Sequence, residues 1–162
     1  MSGPEFDPQK AHKYFSANCF NQAWDLIDLP KRSAEQEAEL LALTFASHWH
    51  WTQREDYSPA KASISNWQIA RVFALIGDGT MAVRFGKKAL NVLSAPNESP
   101  FLAAYAYEAQ SRGLAVEGDN AGANAMLEIA ADYAAKIESD ENRTLVTADL
   151  EQLRQMLQQG SA

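Results

Sequence analysis

Residues 75–79 of this chain are Leu75-Ile76-Gly77-Asp78-Gly79, and residues 116–120 repeat the pattern 41 positions later as Val116-Glu117-Gly118-Asp119-Asn120. In each copy the glycine is a stop signal for one helix, and the aspartate is an N-cap for the next. Small residues follow at matching distances: Ala82 and Ala89 in the first copy, Ala123 and Ala130 in the second. The pattern therefore predicts helix hairpins related by an internal repeat.

Start and stop signals of the same kind divide the whole chain into about eight helices. Asp7, Ser58 and Ser99 each precede a proline, and this order is typical of an N-cap followed by the first helical residue. Ser33 with Gln36 has the pattern of a capping box. The predicted helices span residues 8–17, 20–29, 33–54, 59–76, 79–94, 100–117, 120–137 and 141–158. Because the links are short and no segment alternates with a period of two, the prediction is an all-α fold of antiparallel hairpins.

The repeated small residues resemble those of the tetratricopeptide repeat, in which they let two antiparallel helices pack closely. A fainter copy of the pattern surrounds Asn18, where a helix break is expected. The period of 41 is longer than the family's 34 or so, and Gly86 stands where that family has an aromatic residue. The segments 67–74 and 104–109 are also similar to bacterial helical-repeat proteins, a resemblance that implies no activity.

This resemblance implies a short right-handed solenoid that forms a single domain over residues 1–162. Residues 1–6 would then be a loose N-terminal segment, and the helix at 141–158 would cover the apolar end of the solenoid. The apolar stripe of this last helix leaves a second use open, because it could bury against another copy of the chain and give a homodimer.

Composition and charge exclude several classes of function. The 162 residues carry a net charge of −7, which argues against nucleic-acid binding because phosphate neutralisation needs a basic surface. No apolar run reaches the roughly 18 residues that cross a bilayer, and the N-terminus lacks the pattern of a signal peptide. The single Cys19 excludes an internal disulfide. We therefore expect a cytoplasmic protein that binds neither nucleic acid nor membrane.

Metal binding is also disfavoured, although His48-Trp49-His50-Trp51 is an unusual stretch. On a helix, His48 and His50 lie about 200° apart and point to opposite sides. The other histidine and cysteine of the chain, His12 and Cys19, form no second cluster in the sequence. We expect neither a metal nor another cofactor.

The candidate binding residues combine aromatic, basic and acidic side chains at helical spacing. In a stack of hairpins, corresponding helices build one concave surface, and an aromatic–basic groove suits a peptide or a planar small molecule. The predicted groove contains His48, Trp51, Trp67, Arg71, Tyr105, Glu108 and Arg112. The alternative is a structural role, with Trp67 and Tyr105 in the core and Arg71 bridging to Glu108.

The sequence contains no catalytic signature, neither a nucleophile elbow nor a phosphate-binding loop. The preferred interpretation is therefore a non-catalytic scaffold that binds a protein or peptide. The alternative is a small-molecule-binding protein or minor enzyme with a pocket around His48, Arg71 and Glu108. That alternative requires the three side chains to converge.

Overall fold

A computed structural model describes residues 6–160 and contains seven α-helices, with no strand in that range. The helices are α1 (Pro8–Ile27), α2 (Ala34–Thr52), α3 (Pro59–Leu75), α4 (Gly79–Asn91), α5 (Pro100–Val116), α6 (Asn120–Ala134) and α7 (Asp140–Gln159). A 3₁₀ turn, Pro96–Glu98, precedes α5. The predicted all-α class is confirmed. Of the segment predicted to be loose, residues 1–5 lie outside the described part of the chain, and Phe6 is exposed.

The helix break expected near Asn18 is wrong, because α1 continues without interruption from Pro8 to Ile27. Residues 17–20 contain neither proline nor glycine, so the backbone hydrogen bonds continue through them. Ser16 and Ala23 are buried on the same helix. The two helices predicted at 8–17 and 20–29 are therefore one, and the described chain has seven α-helices instead of eight.

Most of the predicted N-caps are present. Asp7 and Ser58 accept hydrogen bonds from the first turns of α1 and α3, and Ser33 forms the capping box with Gln36. Ser99 makes no side-chain cap, and its backbone N–H donates to the carbonyl of Pro96 in the preceding 3₁₀ turn. At α7 the cap is Ser139, whose hydroxyl accepts from the backbone of the first turn.

The two glycine–aspartate turns are built alike. Gly77 and Gly118 have positive φ angles, 87° and 81°, which side chains with a Cβ rarely adopt. In each turn the aspartate N–H closes the preceding helix with a 2.9 Å bond to the carbonyl of Phe73 or Leu114. The aspartate side chain then caps the following helix. Each turn thus ends one helix and starts the next within two residues.

Helices α4 and α5 approach so closely that their glycines touch the opposite backbone. A Cβ placed on Gly113 would lie 2.7 Å from the backbone nitrogen of Val83 and 2.9 Å from the carbonyl oxygen of Gly79. A Cβ on Gly86 would lie 3.0 Å from the backbone nitrogen of Gln110. This contact explains why position 86 holds a residue without a side chain.

Helices α3, α5 and α7 lie side by side with α5 in the middle, and α1 adjoins α3 through the ring contact of Trp24 with Trp67. Helix α5 packs against α3, α4, α6 and α7, and ten of its residues are buried. Tyr105 of α5 contacts Asp149 of α7. Arg112, seven residues later on α5, contacts Met156, seven residues later on α7. The order of the contacts is therefore the same along both helices. Helices α5 and α7 are therefore parallel. We call the surface formed by α1, α3, α5 and α7 the odd-helix face.

No helix within residues 6–160 combines the length and the apolar character that a membrane span requires.

Candidate ligand-binding site

Five of the seven predicted groove residues come together around one buried carboxylate. Glu108 is only 1% exposed and lies at the middle of α5. Its neighbours are Trp67 and Arg71 on α3, and Tyr105 and Arg112 on its own helix. The spacing of four residues between Trp67 and Arg71, and again between Glu108 and Arg112, places each pair on one side of its helix.

Glu108 accepts hydrogen bonds from three donors. The Nε of Arg112 and the Nη1 of Arg71 both donate to Oε1, the latter over 3.3 Å. The indole Nε1 of Trp67 donates to Oε2 over 3.4 Å. This contact between Arg71 and Glu108 is the one that the alternative structural role predicts, and Tyr105 lies in the core with Trp67 packed against it, as that alternative also expects. With several charge-assisted bonds, the carboxylate is well compensated for its burial.

The two arginines are compensated less completely than the carboxylate. Their side chains are 17% and 8% exposed, and they share one buried acid. The Nε of Arg71 and the Nη2 of Arg112 are buried and have no acceptor within residues 6–160. Burial lowers the pKa of the Arg71 guanidinium, which Glu108 partly offsets. A buried N–H without a partner destabilises the fold, and an added acceptor would relieve that cost.

Tyr105 extends the network toward α7. Its hydroxyl donates to the Oδ2 of Asp149 over 2.7 Å, and its ring lies 4.7 Å from that of Trp67. Burial, followed by the hydrogen bond to Asp149, raises the pKa of the phenol well above its usual range. Tyr105 is therefore a neutral hydrogen-bond donor that holds α5 against α7.

A pocket of about 320 Å³ lies where the C-terminal halves of α3, α5 and α7 meet. Its charged lining residues are two arginines, Arg71 and Arg112, and the rest of its described wall is mostly aliphatic. The remaining lining residues are Ala74, Leu75, Ala115, Val116, Gly118, Asn120, Leu153, Met156, Leu157 and Gly160. We call this cavity the arginine pocket. Its size is near the lower end for small-ligand sites, which run from about 300 to 1,000 Å³.

A second pocket, of about 250 Å³, lies near the N-terminal halves of α3 and α5. Its wall is almost wholly apolar and largely aromatic. The lining residues are Phe20, Trp24, Ser63, Ile64, Trp67, Phe101, Leu102, Tyr105 and Leu145. We call it the aromatic pocket. Trp67 and Tyr105 line this pocket and also adjoin Glu108, so the Glu108 network lies between the two pockets.

His48 and Trp51 are not part of the network. The Nδ1 of His48 lies 2.6 Å from the hydroxyl of Ser65, and burial lowers the pKa of this imidazole. Trp51 is covered by two cations, with the guanidinium of Arg54 4.0 Å from its ring and the ammonium of Lys61 5.7 Å away. Within residues 6–160, no hydrogen bond, ion pair or ring contact joins His48 or Trp51 to the Glu108 network.

The two histidines of the His48–Trp51 stretch have different neighbours, as their helical spacing predicts. His50 faces α1, where its Nδ1 lies 2.8 Å from the Nδ1 of His12. Burial, and then the neighbouring His12, lower the pKa of His50. Among the residues described, no group of three histidine, cysteine or acidic side chains is arranged to hold a metal ion.

The chain was compared with models of protein families, with curated proteins and with solved structures. None of these matches it. The proposed function therefore rests on the two pockets and on the charges between them.

The sequence did not predict that side chains of α7 line both pockets. Asp149 contacts Tyr105 across 44 positions, and Leu145 lines the aromatic pocket four residues earlier on the same helix. The one sequence feature that indicates the position of α7 is the hairpin repeat, because such a repeat implies that the odd-numbered helices are parallel. It could have placed α7 beside α5, but no spacing rule selects which side chains of α7 meet Tyr105.

Proposed function

We propose that this chain is a non-catalytic binding domain of tetratricopeptide-like type, which holds a segment of a protein or peptide on its odd-helix face. Three features support the solenoid: the repeated glycine–aspartate turns, the successive hairpins, and the parallel direction of α5 and α7. In such a solenoid, α7 covers the apolar end of the last hairpin.

The observation that carries the proposal is the presence of two neighbouring pockets, of about 320 and 250 Å³, each with exposed apolar residues at its edge. Ile64 and Leu145, 36% and 54% exposed, line the aromatic pocket. Val116 and Met156, 41% and 54% exposed, line the arginine pocket. Exposed apolar side chains beside a concave site are typical of interaction surfaces.

The distance between the pockets suits an extended peptide. Ile64 and Arg71 line different pockets and are seven residues apart on α3, which corresponds to about 10 Å along the helix axis at the usual helical rise. An extended chain covers that distance in about three residues. A single short segment is therefore long enough to occupy both pockets.

The alternative, a small-molecule pocket around His48, Arg71 and Glu108, has weaker geometric support. Arg71 lines a cavity and contacts Glu108, but the hydrogen bond of His48 leads to Ser65. We therefore prefer the peptide-binding function.

The experiment is selection from a random peptide library displayed with free C-termini, followed by titration calorimetry with the selected peptides. Ile64→Glu places a charge in the aromatic pocket and is expected to weaken binding about tenfold or more. Ala121→Glu, at an exposed position of α6, is the matched control and should leave the affinity unchanged. Failure to select any peptide, or equal effects of the two substitutions, would contradict the proposal.

A further inference from the structure

The hydroxyl of Ser63 is a buried polar group that lacks a partner. Ser63 is 1% exposed, and within residues 6–160 its hydroxyl makes no hydrogen bond. The other buried serines of the described chain all make one: Ser16, Ser47, Ser65 and Ser111. The oxygen of Ser63 keeps accessible surface, unlike the unpartnered Nε of Arg71, and Ser63 lines the aromatic pocket. A group bound in this pocket can therefore supply the missing hydrogen bond.

The rest of the pocket wall requires that this group carry no charge. The described lining residues include no charged side chain, so a charged group would lose its hydration there without compensation. The second hydroxyl of the wall, that of Tyr105, already donates to Asp149. The ligand group that fits is therefore uncharged and has one hydrogen-bonding atom, which faces Ser63.

The wall is also suited to an aromatic ring. Five of the nine lining residues are aromatic, and the ring of Trp67 lies 5.4 Å from that of Trp24 and 4.7 Å from that of Tyr105. Phe101 lies edge-on to Tyr105 at 5.1 Å. Offset and edge-to-face contacts between rings add stabilisation beyond the burial of apolar area. An aromatic group therefore gains more from this wall than an aliphatic group does.

The volume of the pocket indicates two fused rings. The aromatic pocket measures about 250 Å³, whereas an apolar cavity of about 150 Å³ holds a single benzene ring. A tryptophan side chain has two fused rings and one polar group, the indole N–H. It therefore matches the volume of the pocket, the aromatic wall and the free hydroxyl of Ser63.

We infer that the aromatic pocket binds a tryptophan side chain of the bound peptide, whose indole N–H donates to the Oγ of Ser63. This inference rests on the proposed peptide-binding function and names the residue that enters the aromatic pocket. Ile64 and Leu145 are partly exposed at the edge of the pocket, so the peptide backbone stays in solvent while the indole is buried.

The four tryptophans of the chain supply both the reporters and their control. Trp24 and Trp67 line the aromatic pocket, whereas Trp49 and Trp51 lie on α2 and line neither the aromatic nor the arginine pocket. The ¹⁵N-labelled protein is titrated with N-acetyl-tryptophanamide, and the NMR signals of the four indole N–H groups are followed. We expect saturable shifts for Trp24 and Trp67 alone. No response, or an equal response of all four signals, would overturn the location.

Indole and indene separate the hydrogen bond from the burial of the rings, because indene has the same size but lacks the N–H. Indole is expected to bind Ser63→Ala about tenfold more weakly than the unaltered protein, since its buried N–H loses the acceptor. Indene should bind both proteins equally. Ser65→Ala is the control on the same helix, because the Ser65 hydroxyl contacts His48. Unchanged indole binding by Ser63→Ala, or equal losses for indole and indene, would overturn the inference.

Ring size is tested with 3-methylindole and p-cresol, which are the side chains of tryptophan and tyrosine. The single ring of p-cresol buries less apolar surface in the pocket, so p-cresol is expected to bind about tenfold more weakly. Equal or tighter binding of p-cresol would overturn the choice of tryptophan.

The selected peptides distinguish this inference from the proposed function. Replacing the tryptophan of a selected peptide with alanine should weaken binding about tenfold or more. Selected peptides without tryptophan, or unchanged affinity after the replacement, would overturn the inference but leave the peptide-binding function intact. If indole saturates the pocket at a lower concentration than the tryptophan-containing peptides, a free aromatic molecule replaces the peptide side chain and the inference is overturned.

Discussion

Glu108 determines how the side chains of the site are arranged. One carboxylate, almost fully buried, accepts bonds from two arginines and a tryptophan on two neighbouring helices. Burying an ion pair costs desolvation energy, so such a group is retained only where its partners are in place. Here the partners are held by helix packing on both sides, and Arg71 and Arg112 also line the arginine pocket.

The first prediction concerns the removal of this charge. Glu108→Gln keeps the size of the side chain but leaves two buried guanidiniums without an acid, so the free energy of unfolding should fall by about 3 kcal/mol. Urea denaturation measures the change. Glu128→Gln is the matched control, because Glu128 is exposed and its ion pair with Arg154 is a surface pair worth at most about 1 kcal/mol. Equal losses in the two variants would contradict the buried network.

Part of this site could be predicted from the sequence. Helical spacing brought Arg71, Glu108 and Arg112 into one set, and these residues do meet. It included His48 and Trp51 as well, because spacing along a helix does not say which neighbouring helix a side chain faces. His48 faces Ser65, and Trp51 lies under Arg54 and Lys61.

Contacts between helix backbones depend on single glycines. Helices α4 and α5 touch through Gly79, Gly86 and Gly113, where a side chain would meet backbone atoms that cannot move aside. The packing of α4 against α5 positions α5, and residues of α5 line both pockets.

The second prediction is that Gly113→Ala loosens this contact. The added methyl group overlaps the backbone of Val83 and Gly79, and overpacking of this kind lowers the free energy of unfolding by about 2 kcal/mol. Thermal or urea unfolding measures the loss. Gly160→Ala is the control, because its nearest contact is an ordinary 3.5 Å. A Gly113→Ala protein as stable as the control would contradict the close approach of α4 and α5.

Helix limits could be predicted where proline, glycine and capping residues mark them, as at Pro59 and at both glycine–aspartate turns. The prediction failed near Asn18, where a repeat pattern suggested a break but no residue interrupts the backbone hydrogen bonds. A repeat pattern indicates which residues pack in similar surroundings. A helix ends only where other partners replace its backbone hydrogen bonds.

The pH dependence of stability belongs to the whole molecule. The pKa values of His48 and His50 are lowered below 6.5, chiefly by burial. Below about pH 6.5 the unfolded chain therefore binds protons more readily than the folded protein, and stability falls as the pH falls. The loss begins near the unfolded pKa and continues down to the lower folded values.

The third prediction follows from this loss of stability as the pH falls. The melting temperature should be lower at about pH 5.5 than at about pH 7.5, and the double variant His48→Gln/His50→Gln should show a smaller difference. Differential scanning calorimetry at the two pH values measures both proteins. The opposite sign in the unaltered protein, or the same difference in the variant, would contradict the burial of these imidazoles.

The assembly of the two pockets could not be predicted from the sequence. Each pocket takes residues from three or more helices, and the aromatic pocket joins Phe20 near the start of the chain to Leu145 near its end. Periodicity fixes which side of each helix is apolar, but the rotation and offset between helices arise from packing.

Chemical-shift mapping tests whether peptides bind to the odd-helix face. A peptide selected from the library is titrated into the ¹⁵N-labelled protein, and the shifted backbone signals are assigned to helices. If peptides bind to that face, the largest shifts lie in α3, α5 and α7, around Ile64, Tyr105 and Met156. Shifts concentrated instead on α2, α4 or α6, or around the exposed Trp49, would contradict peptide binding at the odd-helix face.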